Sequence, residues 1–112
     1  MTSLETAQKA AKILDDKLAK DVKILKLEGL TAIADYFVIA SGSSISQVKS
    51  LTEYLDEGLA REGVFARKVE GENNADWTLS DYRDVIVHIF TEESRQFYSL
   101  ERLWADAPQI EF

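Results

Sequence analysis

Two runs of consecutive β-forming side chains constrain this chain more than any other feature: Tyr36-Phe37-Val38-Ile39-Ala40 and Val85-Ile86-Val87-His88-Ile89-Phe90. Successive side chains of a strand point to opposite faces, so a run that is apolar at nearly every position has to be covered on both sides. The pair therefore predicts two interior strands of one sheet, with further structure packed against each face.

The covering layer is legible as helical periodicity. Leu4, Ala7, Ala11, Leu14 and Leu18 recur at helical spacing, while Lys9, Lys12, Asp15, Asp16 and Lys17 lie mostly around the other side, which predicts a first helix capped by Ser3. Ile45, Val48, Leu51, Leu55 and Leu59 mark the inner stripe of a second helix that Gly63 ends. A third begins at Thr91 as N-cap, places Glu92 and Glu93 at the positive end of its dipole, turns Phe97, Leu100 and Trp104 inward and stops before Pro108.

Three more strands complete the sheet. Val22 to Leu27 has one more solvated face and is punctuated by Gly29; Val64 to Val69 follows the second helix. The strand at Tyr36, the Ser41-Gly42-Ser43-Ser44 turn, the second helix and the strand at Val64 read as a βαβ unit, right-handed if its strands are parallel. After a polar turn at Glu70-Gly71-Glu72-Asn73-Asn74, Trp77 and Leu79 alternate with Asp76, Thr78 and Ser80, as in a strand with one apolar and one polar face. Tyr82-Arg83 then makes a tight hairpin into the second apolar run. The expectation is an α/β fold: a mixed sheet of about five strands packed with about three helices in a single domain, residues 1–112.

Charge narrows the function classes. With 13 basic and 20 acidic residues the chain carries a formal charge of -7, which opposes a phosphate backbone and predicts little direct nucleic-acid binding. A basic protein is the better electrostatic partner. The absence of cysteine removes disulfides, thiolate catalysis and cysteine zinc sites. No run approaches the roughly 20 apolar residues that cross a bilayer, and Met1 to Lys20 lacks the features of a signal peptide, so no membrane partner and a cytoplasmic location are expected.

Few residues invite chemistry. Ser41-Gly42-Ser43-Ser44 sits where backbone N–H groups can hold a phosphate, and Gly42-Ser43 resembles the nucleotidyltransferases, whose sheet is of this kind. It lacks the lysine of a P-loop, and Val64 to Val69 offers no carboxylate pair for two metal ions, so a helix cap and turn is the simpler reading. His88, the single histidine, cannot build a multi-histidine metal site and reads as a hydrogen-bonded structural residue. Asp81 and Asp84 bracket a turn and suit turn capping. Trp77 shares a strand face with Leu79 and Asp81, and two readings stand equal for it: packing under a helix, or anchoring a partner. Glu92, Glu93, Glu101 and Asp106 read as a solvated face that adds negative field.

Taken in order, Ala34-Asp35-Tyr36-Phe37-Val38-Ile39-Ala40-Ser41-Gly42, Glu70-Gly71, Asp76-Trp77-Thr78-Leu79-Ser80-Asp81-Tyr82, Asp84 to Phe90, Arg95, Tyr98 and Leu100-Glu101-Arg102-Leu103-Trp104 resemble the ribosomal silencing factor family, also called Iojap-like or YbeB-like. The resemblance covers most of the chain. It implies a nucleotidyltransferase-like sheet without catalysis, no cofactor and no metal. It also implies binding to the large ribosomal subunit through its interface protein number fourteen, a steric block to joining of the small subunit, and a homodimer when free. Carried over by motif, the partner-binding residues would be Trp77, Leu79, Asp81 and Tyr82, with Asp35, Arg95 and Tyr98 beside them. Alternatives from other classes are a large-subunit assembly factor, a self-associating scaffold and a nucleotide-binding enzyme using Ser43 and Ser44.

Overall fold

The first helix, α1 (Ser3–Asp16), is capped one residue earlier than expected. Thr2 accepts the Glu5 N–H at 3.1 Å while the Glu5 carboxylate accepts the Thr2 N–H at 2.8 Å, a reciprocal capping box that Ser3 cannot form. Ala7, Ala10, Ala11 and Leu14 are the buried stripe. Leu18, expected on it, lies beyond the helix with a φ of 68° and is exposed. The computed structural model describes residues 1–71 and 75–112, so most of the polar turn, residues 72–74, lies outside the described residues.

Among the described residues six strands follow: β1 (Lys20–Lys26), β2 (Tyr36–Gly42), β3 (Lys68–Glu70), β4 (Trp77–Asp81), β5 (Val85–Thr91) and β6 (Gln109–Ile110). They form one sheet in the order β3-β4-β5-β2-β1-β6. The two apolar runs are its adjacent central strands, paired parallel from Tyr36 opposite Val85 to Gly42 opposite Thr91. Every other pairing is antiparallel. The α/β class and mixed sheet are those expected.

The departures have local causes. The strand expected over Val64 to Val69 shrinks to three residues at the sheet edge, because Val64 and Ala66 pack against the helix-side core instead. It does not neighbour β2, since β5 and β4 lie between. The sixth strand was not expected. The helical segment has already stopped at Leu103; the Pro108 carbonyl accepts the Lys26 N–H at 2.8 Å, and the next two residues pair with β1.

Helix α2 (Ile45–Ala60) buries Val48, Leu51, Leu55 and Leu59, each worth roughly 1.5–3 kcal/mol when fully removed from water. With α1 it covers one face of the sheet, against Ile24, Tyr36, Val38, Ala40, Val87 and Ile89. The opposite face carries Leu25, Phe37, Ile39, Ile86 and Phe90 and is covered, among the described residues, by the C-terminal segment together with Leu27 and Ala34 of the β1–β2 connection. That segment is not one helix. Ser99 adopts a φ of 49° and divides it into α3 (Glu92–Tyr98) and α4 (Leu100–Leu103), so the spacing from Phe97 to Trp104 does not mark a single buried stripe. Leu100 and Trp104 are half-buried on this face, whereas Phe97 is 80% exposed.

Candidate partner-binding face

β4 has the expected alternation with an unexpected hand. Thr78 and Ser80 are the buried side chains, facing the helices, while Trp77, Leu79 and Asp81 are half-buried on the other face. Two-residue periodicity says which side chains share a face, not which way that face looks. Thr78 can enter the core because its hydroxyl bonds that of Thr52 on α2 at 2.8 Å.

Trp77 is held from several sides. Its ring stacks on Phe90, with centroids 4.9 Å apart and planes at 27°, and meets Tyr98 at 4.7 Å. Its indole N–H donates to His88 Nδ1 at 3.1 Å. Tyr98 arrives there because the Asp76 carbonyl, just before β4, accepts both the Thr91 N–H at 2.9 Å and the Ser94 hydroxyl at 2.6 Å, tying the start of α3 to the start of β4. Gly71 supports the same spot: at a φ of 79° it lies so close to the Trp77 carbonyl that a Cβ would collide with it. Beside Trp77, Leu79 and Gly71 line a shallow apolar notch with Glu70.

Outside this cluster stand large apolar side chains with little cover. Phe97 is 80% exposed, Leu103 77% and Tyr98 46%. The expectation that Phe97 faces inward concealed it. The consecutive aromatics Phe97-Tyr98 carried a signal, since helical neighbours lie about 100° apart and cannot both share one inward line.

The remaining candidates are dispersed. Asp81 shares the face of Trp77 but lies four residues along β4, about 13 Å away at strand rise. Its Oδ2 accepts from Arg67 at 2.8 Å and its Oδ1 accepts the Arg83 N–H at 2.7 Å. Burial pushes its carboxyl up, but those bonds and the two guanidinium charges outweigh burial and hold it below the usual range. Asp35 is at that same end of the sheet, where its carbonyl accepts the Leu27 N–H at 2.7 Å and its N–H donates to the Asp84 carbonyl at 2.8 Å.

Tyr82 points into the helix-side core, buried, with its hydroxyl donating to Asp56 on α2 at 3.3 Å. Burial first, then the Asp56 charge, raises its phenol. Arg95 is also turned inward, donating to Glu101 at 2.8 Å and to the Ser41 hydroxyl at 2.8 Å. Of the seven residues, the structure brings together Trp77, Leu79 and Tyr98.

The serine-glycine turn uses its polar groups internally. Ser44 caps α2 by accepting the Gln47 N–H at 3.1 Å, and Ser43 donates from its hydroxyl to Gln47 Oε1 at 2.8 Å. Among the described residues, no three His, Cys, Asp or Glu side chains are grouped to hold a metal ion, and no helix is long and apolar enough to cross a membrane.

Residues 1–112 match the family model described as ribosomal silencing factor during starvation. The chain belongs to the ribosomal silencing factor family. Silencing factors of Halalkalibacterium halodurans and Bacillus subtilis are 39% and 41% identical to it, over 99% and 88% of this chain and 95% and 84% of theirs. The crystal structure of a Chromobacterium violaceum protein superposes with a TM-score of 0.91 at 31% identity, covering 100% of this chain and 92% of that one. A Mus musculus relative named mitochondrial assembly of ribosomal large subunit protein 1 is 29% identical over 82% of this chain and 42% of its own length. The resemblance drawn from the motifs is thus upheld, and the chain's aromatic cluster lies within the matched region.

Proposed function

We propose that this silencing factor binds the large ribosomal subunit at its interface protein number fourteen and, by occupying that surface, keeps the small subunit from joining. The supporting observation is the patch of Trp77, Leu79 and Tyr98 with Phe97 beside it: ordered aromatic side chains left partly uncovered on the thinly roofed face of the sheet. Buried aromatic anchors rimmed by polar groups carry most of the free energy of typical protein interfaces. Asp81 supplies a carboxylate at the far end of the same face for a lysine or arginine, and the net charge of -7 steers a basic partner toward it.

The mechanism is exclusion without a chemical step. The chain acts as one domain in the cytoplasm, potency follows the lifetime of the complex, and a second copy covers the same apolar surface when the factor is free. Co-sedimentation tests this directly. The factor is expected with isolated large subunits and absent from joined ribosomes, and Trp77→Ala is expected to weaken the complex by about 2 kcal/mol or more. Recovery of the factor in joined ribosomes at full occupancy overturns the proposal.

A second reading, large-subunit assembly, is favoured by the name of the mouse relative. It uses the same docking step, and accumulation of large-subunit precursors in cells lacking the factor distinguishes it.

A further inference from the structure

His88 occupies the centre of an aromatic cluster in a way that packing does not explain. It is 3% exposed, its ring lies edge-on to Phe37 with centroids 4.6 Å apart, and among the described residues no carboxylate or carbonyl bonds it. Nδ1 accepts the indole N–H of Trp77 at 3.1 Å, so the proton of the neutral ring resides on Nε2. Nε2 is buried and, among the described residues, has no hydrogen-bond partner. A buried donor without a partner is costly, and a phenylalanine, apolar like Phe37 and Phe90 around it though larger than imidazole, would not incur that cost.

The position therefore keeps a group that weakens the core. What a phenylalanine cannot do is accept the Trp77 N–H. Without that bond the indole retains its stacking on Phe90 and its tilted contact with Tyr98 but loses the directional contact that fixes its orientation about the ring normal. An anchor side chain ordered before contact spends less conformational freedom on binding.

We infer that His88 is a positioning residue: its Nδ1 locks the Trp77 indole in the orientation that docks the partner, at the expense of a partnerless Nε2–H in the core. This rests on the docking face proposed above.

The test separates the two claims. On the labelled full chain, the His88 imidazole nitrogens report the tautomer, and Trp77→Phe identifies which of the two indole N–H signals belongs to Trp77. His88→Phe removes the acceptor and keeps the ring; His88→Asn keeps an acceptor near the Nδ1 position and loses volume. The expected results are an Nε2–H tautomer, and a Trp77 N–H exchanging about fivefold faster in His88→Phe than in the parent or in His88→Asn. His88→Phe should bind purified large subunits about fivefold more weakly while melting at or above the parent temperature at pH 7, and His88→Asn should bind within about twofold of the parent despite melting lower. An Nδ1–H tautomer in the parent, or undiminished binding by His88→Phe when Trp77→Ala does weaken binding, overturns the positioning role and leaves the docking face standing. Undiminished binding by folded Trp77→Ala removes the docking face itself.

Discussion

The Tyr98 ring meets the Trp77 indole at 4.7 Å between centroids, and the next residue, Ser99, turns the backbone to a φ of 49°. The helix ends where its last aromatic has reached the sheet, while Phe97, one position earlier, is left pointing away from it.

Phe97 should therefore separate binding from stability. Phe97→Ser is expected to change the unfolding free energy by no more than about 0.5 kcal/mol, as for surface sites generally, while weakening the large-subunit complex by about 1–2 kcal/mol. Denaturant melts and co-sedimentation measure the two quantities on one protein. Unchanged binding would restrict the docking patch to Trp77, Leu79 and Tyr98.

The buried threonine pair makes an asymmetric prediction. Thr52 uses its single hydroxyl proton on the Val48 carbonyl at 2.8 Å, so Thr78 must donate across the 2.8 Å bond to Thr52. Thr52→Val leaves Thr78 without an acceptor inside the core and should cost about 1–3 kcal/mol; Thr78→Val leaves Thr52 still bonded and should cost about 1 kcal/mol. A double-mutant cycle should return a coupling of about 1 kcal/mol between α2 and β4. Equal single-mutant costs would contradict the assigned donor.

Much of this fold was readable because it rests on periodicity. Tyr36 to Ala40 and Val85 to Phe90 declared themselves interior strands by being apolar on both faces, and Ile45, Val48, Leu51, Leu55 and Leu59 declared their helix by spacing, although Ile45 is exposed. What escaped was set by contacts between distant parts of the chain. Gln109–Ile110 is too short to show a period and becomes a strand only because β1 offers an open edge. Thr78 looks like part of a solvated face until Thr52 supplies a partner. At the site, Trp77 and Leu79 were visible as a shared face, whereas the burial of Tyr82 and the inward turn of Arg95 depend on Asp56, Ser41 and Glu101, none of them a strand neighbour in the sequence.

Arg95 should behave as a structural residue. Its side chain is 10% exposed and joins Glu101 on α4 to Ser41 on β2, while Lys23 of β1 reaches the other Glu101 oxygen at 3.0 Å. The Arg95 hydrogen bond, against opposing burial and with help from Lys23, holds the Glu101 carboxyl below its usual range. Arg95→Lys keeps the charge but not the fork that serves both partners, and is expected to cost about 2 kcal/mol of stability. Binding per folded molecule should stay within about twofold of the parent if the residue only holds the roof on the sheet. A large loss of affinity in a fully folded variant would return Arg95 to the interface.

His88 makes stability depend on pH over a window that carboxylates share only at its acid end. Burial pushes its imidazole down from 6.5 to about 4, so the folded chain holds it neutral where the unfolded chain takes up a proton. Because the unfolded state binds more protons between those values, its contribution is fully present above pH 6.5. It is lost progressively as pH falls toward about 4, below which this group costs nothing further. The slope approaches about 1.4 kcal/mol per pH unit, and the loss between pH 7 and pH 5 should be about 2 kcal/mol. With one histidine in the chain, that interval is nearly free of other titrations, since carboxylates protonate mainly below it. Urea unfolding of the parent at pH 7, 6 and 5 measures the slope, and His88→Phe should flatten it. A parent whose stability is constant across that range would mean that His88 accepts its proton in the folded state, and the hydrogen bond from Trp77 to Nδ1 could not then exist in the protonated ring.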